Sequence, residues 1–341
     1  MTTTASAPGP LVPRARRASR AVVLVATLAG ALPRTVRGAQ AQQALVLAAL
    51  ALGMPHGAAD TELLLRASHG SRRRHVALLT GYAALAAGST AVVHRGGEWV
   101  ERGVLVASAA HFAEGELACW GAAPAGRPRA RATLRLLAAA VATVGLPAAV
   151  GTASPGGHAA VGVSGVHDAP RPRAVGDRSG LALLGDPRTR RTVGVPAALA
   201  VATVGALAAS GDREAAADTA RLTALALLAP PSLAFAGYFG GWHALRHTAR
   251  VTDALVAGGQ LAAPSTLPGA IAVLGRRSAW AALVGLVGAG VLAARDPARA
   301  SDNAFAAVLG LTVPHMTTVA LELARPRQER GQVRRAQPAL R

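Results

Sequence analysis

The sequence has no lysine, one cysteine and few aromatic residues. All 36 basic residues among its 341 are arginine, and Phe, Trp and Tyr together make up 3%. Acidic residues are also scarce, 17 against those 36, which gives a formal net charge of +19. Each shortage excludes something. The single Cys119 rules out an intrachain disulfide and any cysteine-rich metal site. Set in an apolar run, it reads as a small buried hydrophobe. Charged residues make up 16% of the chain, where a soluble domain carries about 25%. Ala, Val, Leu and Gly fill the difference, so that hydrophobic residues reach 51% and mean hydropathy is +0.33. Neither an ordinary soluble enzyme nor a disordered chain has this balance. The arginine excess does not indicate a nucleic-acid partner either, since such proteins group their charge on a polar face among aromatics. Here Arg occurs in short stretches between apolar runs, as in Arg14 to Arg20, Arg72 to Arg74, Arg127 to Arg135 and Arg325 to Arg335. Flanks that meet lipid headgroups have this pattern. The partner implied is a bilayer.

A membrane span needs about 20 mostly apolar residues. The chain offers them at Ala41–Leu65, Val76–Val93, Gly103–Trp120, Leu134–Gly151, Val193–Ala209, Leu222 to about Val256, Ile271–Ala294 and Ala304–Leu323. An earlier apolar stretch, Ala21–Leu32, follows Arg14, Arg16, Arg17 and Arg20 and ends at Pro33. It reads either as a signal-peptide core, with Ala39-Gln40-Ala41 as the cleavage site, or as a short first span. The fold class expected is therefore all-α, a polytopic transmembrane bundle of eight or nine spans, without internal repeats. One domain, 21–324, is expected between basic mobile tails at 1–20 and 325–341. Thr152–Arg191, rich in Gly, Pro, Ser and Arg, reads as a polar extramembrane loop because it has no periodic apolar face. Arginine is spread over both alternating sets of loops, so charge does not set the orientation. A multi-pass protein of the cell membrane is expected.

The ten histidines divide into two sets. His69, His75, His94, His158 and His167 lie in polar segments and read as solvated. His56, His111, His243, His247 and His315 lie in apolar stretches, where ionisable groups are expensive and mark function. His243 and His247 are four apart, so on a helix their rings share a face and can bind one metal. Phe235, Tyr238, Phe239 and Trp242, four of ten aromatics, come just before that pair and suit a ligand pocket or a packed helix core. His56 follows Pro55 and precedes Gly57, which permits close approach by a neighbour. Asp60, one turn later, either orients the second ring nitrogen of His56 or simply marks the interfacial end of the helix. Glu114 stands three residues after His111 as a candidate same-face partner, and His315 follows Pro314. If spans alternate in direction, the helices of His56 and His243 run antiparallel. Their rings then meet only if both helices continue past the histidine. Leu63–Leu65 and Val251–Val256 supply that continuation, which predicts one site near the bilayer midplane. Imidazole ligation suits Fe(II), Cu or Zn. A haem carrier with axial histidines and a transporter relaying protons are the alternative readings.

Pro55-His56-Gly57-Ala58-Ala59-Asp60, His111-Phe112, His243-Ala244-Leu245-Arg246-His247 and Pro314-His315-Met316 stand in this order along the chain. In that order the sequence resembles the Brp/Blh family of bacterial and archaeal membrane β-carotene 15,15'-dioxygenases. The resemblance covers essentially the whole span region. It departs from the family after His111-Phe112, where Ala113, Glu114 and Glu116 replace the usual Gly and following acid. The long loop 152–191 is a second departure. The resemblance implies non-haem Fe(2+), with O2 as co-substrate, cleaving the central double bond of β-carotene or a related carotenoid into two retinals. It further implies that His56, His111, His243 and His247 are the iron ligands. His315, Asp60, Glu114, Tyr238 and Trp242 are then expected behind the ligands or in the pocket, with His315 also open as an alternative ligand.

Overall fold

The computed structural model describes residues 9–31, 56–57, 59–120, 128–153, 179–257, 261–277 and 310–321, with the isolated positions 259, 279, 283, 287 and 291. All the regular structure among the described residues is helical. The helices are α1 (Leu11–Ala31), α2 (Asp60–Ala67), α3 (Arg72–Arg95), α4 (Gly97–Cys119) and α5 (Pro128–Ala140). A π-helical turn, Val141–Gly145, leads into α6 (Leu146–Ala153). Next come α7 (Gly180–Gly185), α8 (Arg190–Ala209), α9 (Arg213–Leu228) and α10 (Pro231–Ala236). A second π-helical turn, Gly237–Ala244, continues into α11 (Leu245–Ala257), followed by α12 (Leu267–Arg277) and a helix α13 over 310–321.

Local chemistry sets the boundaries. The Ser71 hydroxyl accepts from the Arg74 amide at the start of α3, and Asp212 accepts from the Ala215 amide at the start of α9. The turn between α2 and α3 places His69 at φ 50° and Gly70 at φ 78°, conformations that glycine adopts without a steric penalty. Pro147 lacks an amide proton and crowds the carbonyl four residues back. The π-helical turn 141–145 just before it widens the ladder where that conflict falls.

Among the described residues, three helices are long and apolar enough to cross a bilayer, Arg72–Val93, Arg129–Gly151 and Arg190–Ala209. The sequence reading counted eight or nine. Most of Ala41–Leu65, Ile271–Ala294 and part of Ala304–Leu323 lie outside the described residues. The expected span from Leu222 to Val256 is two helices: α9 ends at Leu228, and Pro230-Pro231 starts α10. A proline pair removes two consecutive amide donors, so the α9 ladder cannot continue through it. The N-terminal tail also differs from expectation, because residues 11–20 belong to α1. Leu11, Val12 and Ala15 are buried there against Cys119, Ala249 and Leu267. Within the stretch Ala21–Leu32, residues 21–31 are thus the second half of a 21-residue helix, α1, packed on α9, α11 and the turn 237–244, and Leu32 lies outside the described residues. Part of the expected polar loop is helical as well: α7 buries Leu183 against Val150, Val193 and Ala226. Residues 154–178 and the C-terminal tail lie outside the described residues.

Small residues bring α1 close to the turn 237–244. A methyl group added at Gly241 would overlap Val22, and one at Gly237 would stand 3.1 Å from the Ala26 Cβ. Glycines four apart on one face let two helix backbones approach closely. Gly241→Val is therefore expected to destabilise the bundle by about 1–3 kcal/mol, the usual cost of overpacking. A thermal melt in detergent checks this, since an unchanged midpoint would mean that α1 does not sit on this face.

Candidate metal centre

Five imidazoles from separate parts of the chain converge in the core. His56 comes from the helical residues 56–57, His111 from mid-α4, His243 from the π-helical turn, His247 from α11 and His315 from α13. All are buried, between 3% and 8% exposed. The His56 ring centroid lies 5.3 Å from His243, 5.6 Å from His247 and 5.3 Å from His315. His111 lies 5.6 Å from His243 and 5.1 Å from His315, and His247 lies 5.1 Å from His315. His243 and His247 are 5.7 Å apart and nearly parallel at 22°, as four-residue spacing on one face demands. One ligand atom each from His56, His243 and His315 lies within 4.8 Å of the others. Two nitrogens on opposite sides of one ion stand about 4.2 Å apart, twice the usual metal–imidazole bond.

The polar bookkeeping of these rings is incomplete without a further partner. The Nε2 atoms of His111, His243, His247 and His315 are all buried with no hydrogen-bond partner in the protein. An unpartnered buried polar atom costs about 1–3 kcal/mol. Four of them cost about 4–12 kcal/mol, comparable to the net stability of a whole domain. A cation bound to these lone pairs removes that cost, so the donor set fits a metal that prefers imidazole nitrogen. The surroundings are apolar and aromatic. Phe239 meets His56 edge-on at 5.0 Å, Phe112 meets His243 at 4.6 Å, and Tyr238 packs on Phe112 at 5.3 Å. Phe235 stacks on Phe239 one turn away.

Several residues do not stand where the sequence reading put them. The Asp60 carboxyl oxygens lie 2.9 and 3.0 Å from His315 Nδ1, and one of them accepts from the Tyr82 hydroxyl at 2.9 Å. The sequence offered it as a partner for His56. Spacing along one helix made that pairing plausible, but α13 and α3 deliver their groups to the carboxylate from outside the helix. Glu114 is exposed rather than behind His111. Glu116, two residues on, points inward at 1% exposure. Trp242 is fully buried, yet its indole donates to Glu116 at 2.8 Å instead of facing the rings. A methyl added at Gly57 would meet nothing within 4 Å among the described residues. Of the five histidines read as solvated, His69 is exposed and His75 half-buried; the side chains of His94, His158 and His167 lie outside what is described.

A buried ion network, absent from the sequence reading, backs the His243–His247 segment. Arg246 donates to Glu116 at 2.7 Å, to Asp218 at 3.0 Å and to the Ser19 hydroxyl at 2.9 Å. Its guanidinium lies 3.5 Å over the Trp242 ring. Asp218 also accepts from Arg20 at 2.7 Å and from the Trp120 indole at 3.3 Å. Arg221 donates to Asp218 as well, at 3.1 Å, so two carboxylates face three guanidiniums, and α1, α4, α9 and the histidine-bearing helix are tied at one point.

Among the described residues the protein is all-helical, and its apolar core gathers imidazoles, four of them with an unpartnered Nε2, that could hold a metal ion. A family model described as beta-carotene 15,15'-dioxygenase matches residues 47–321. The chain belongs to that family, as the motif order around His56, His111, His243, His247 and His315 implied. All five histidines lie inside the matched region. The comparisons with curated proteins and with solved structures give no match.

Proposed function

We propose that this chain is a membrane carotenoid oxygenase that uses His-ligated Fe(II) and O2 to cleave the central double bond of β-carotene into two retinals. The supporting observation is the convergence of buried, unpartnered imidazole nitrogens in a chain of this family. His56, His111, His243 and His247 would hold the metal. When bound, Fe(II) supplies the redox chemistry that ground-state O2 needs to react with an alkene.

The protein's own contributions follow from the residues. Phe112, Tyr238 and Phe239 surround the cluster with ring faces and edges that suit a conjugated, uncharged polyene. The same rings keep bulk water from the imidazoles. The substrate carries no charge, so binding it removes no strongly hydrated group from solvent. Arg246 and its carboxylates hold the His243–His247 segment in register from behind.

The same reading places the chain in the cell membrane as a multi-pass bundle of eight or nine spans, with the cluster near the midplane. Exposed apolar side chains support it: Leu24, Leu28, Val76, Val92, Val106, Val195 and Val201 are each more than half exposed. So large an apolar exterior calls for lipid rather than water. A carotenoid dissolved in the bilayer then reaches the site sideways, through the helix wall. The haem alternative fits the geometry less well. A porphyrin takes axial imidazoles from its two opposite faces, whereas here five rings crowd within 5.1–5.7 Å of their neighbours.

Co-expression in a bacterium that makes β-carotene tests the reaction. The expected outcome is loss of orange colour with accumulation of retinal. Colour retained in cells whose membranes contain the folded chain would overturn the assignment. His69→Ala, an exposed position away from the cluster, is expected to bleach the cells as the parent does.

A further inference from the structure

The Asp60–Tyr82 pair gives His315 a role that the four-histidine assignment does not contain. His315 Nδ1 is engaged by the Asp60 carboxyl group, which leaves Nε2 as the ring nitrogen available to a ligand; with Asp60 ionised, the shared proton sits on Nδ1 and the lone pair on Nε2. That Nε2 is buried and has no protein partner. Its ring stands 5.1 Å from those of His111 and His247 and 5.3 Å from that of His56. Tyr82 comes from α3 and Asp60 from the start of α2, so two helices fix the carboxylate before α13 brings His315 to it. A histidine that only packed the core would not need its second nitrogen locked by a carboxylate that is itself locked by a phenol. This arrangement orients a ligating imidazole and raises its basicity.

The geometry points to His315 as a fifth metal-ligating imidazole of this chain, with Asp60 and Tyr82 as the residues that position it. The inference rests on the metal-binding reading above and extends its ligand set. It implies that α3 and α13 help assemble the centre, and that a six-coordinate ion keeps one protein-free position rather than two.

Cobalt(II) binding to the purified chain in detergent tests this without reference to turnover. The parent, His315→Ala, Asp60→Asn and Tyr82→Phe are titrated with Co(II), and the ligand-field spectrum of each is recorded at saturation. His315→Ala is expected to weaken affinity by more than about 100-fold and to shift the visible bands. Asp60→Asn is expected to weaken it about 10–100-fold, as loss of a ligand-orienting carboxylate does. Tyr82→Phe is expected to act in the same direction with a smaller effect. Should His315→Ala fail to fold, the Asp60→Asn spectrum decides, because a merely structural carboxylate would leave the cobalt bands of the saturated protein unmoved. Parent-like affinity and bands in the folded variants, alongside loss of Co(II) binding in His243→Ala, would remove His315 from the ligand set and leave the metal site standing. A parent chain that binds no cobalt at all would instead overturn the metal-centre reading itself.

Discussion

The His243→Ala variant is expected to reach the membrane as a folded bundle and to lose both its metal and retinal formation. His243 is the hub of the cluster. Its ring neighbours are His56, His111, His247, Phe112 and Tyr238, all within about 6 Å. It also stands in the π-helical turn Gly237–Ala244, where the extra residue per turn changes which side chains face the core. Truncation removes one of the unpartnered nitrogens, so the folded protein without metal is relieved of a buried polar group rather than burdened with a new one. Stability therefore changes little while the donor set shrinks. Losing a residue that merely orients a ligand costs about 10–100-fold in affinity or activity, and losing the ligand costs more. Metal analysis after purification, together with retinal yield in the co-expression strain, checks both halves. Undiminished turnover in this variant would strike His243 from the metal centre. Turnover lost with metal fully retained would instead assign it to the substrate pocket.

The histidines were legible in the sequence because imidazole is rare in apolar runs and its cost there demands a reason. The shared face of His243 and His247 followed from spacing alone. The contacts of Asp60 were not legible because spacing reports only neighbours along one helix, and His315 and Tyr82 arrive from helices far away in the sequence. Tyr82 carried a signal that went unused, being one of two tyrosines in the chain and set in the middle of an apolar segment. The same cost argument, applied to carboxylates and arginine, would have singled out Glu116 and Arg246, which lie as deep as the histidines. Glu114 drew attention through its three-residue distance from His111, but two residues of α-helix rotate a side chain by about 200°. That rotation separates an exposed Glu114 from a buried Glu116. The break at Pro230-Pro231 was written in the sequence but overridden by continuous hydropathy. Helix α1 was split by its arginines, because Arg20 reads as a solvated flank until Asp218 supplies a partner across the fold.

That partnership makes Arg246→Met the substitution with the largest expected effect on stability. Arg246 is 2% exposed, Glu116 1% and Asp218 0%. Arg246 joins both carboxylates, while Trp242 and Ser19 complete its surroundings. Methionine matches the aliphatic stem but leaves Glu116 with a single indole donor. Removing one partner of a buried ion pair costs about 3–5 kcal/mol, far above the 0–1 kcal/mol typical of exposed pairs. The loss falls where α1, α4, α9 and the histidine-bearing helix meet, so the apparent melting temperature in detergent is expected to drop by on the order of 10 °C. Metal affinity is expected to fall with it, since Arg246 lies between His243 and His247 on one helical segment. The double variant Arg246→Met/Glu116→Gln separates electrostatics from packing. It removes the uncompensated charge, and Asp218 keeps Arg20 as its partner. Replacing both members of a buried pair is often close to neutral, so the double variant is expected to melt above the single one. If the double variant is the less stable of the two, Arg246 serves the bundle by filling volume under Trp242, and the charge balance is not what holds the four helices together.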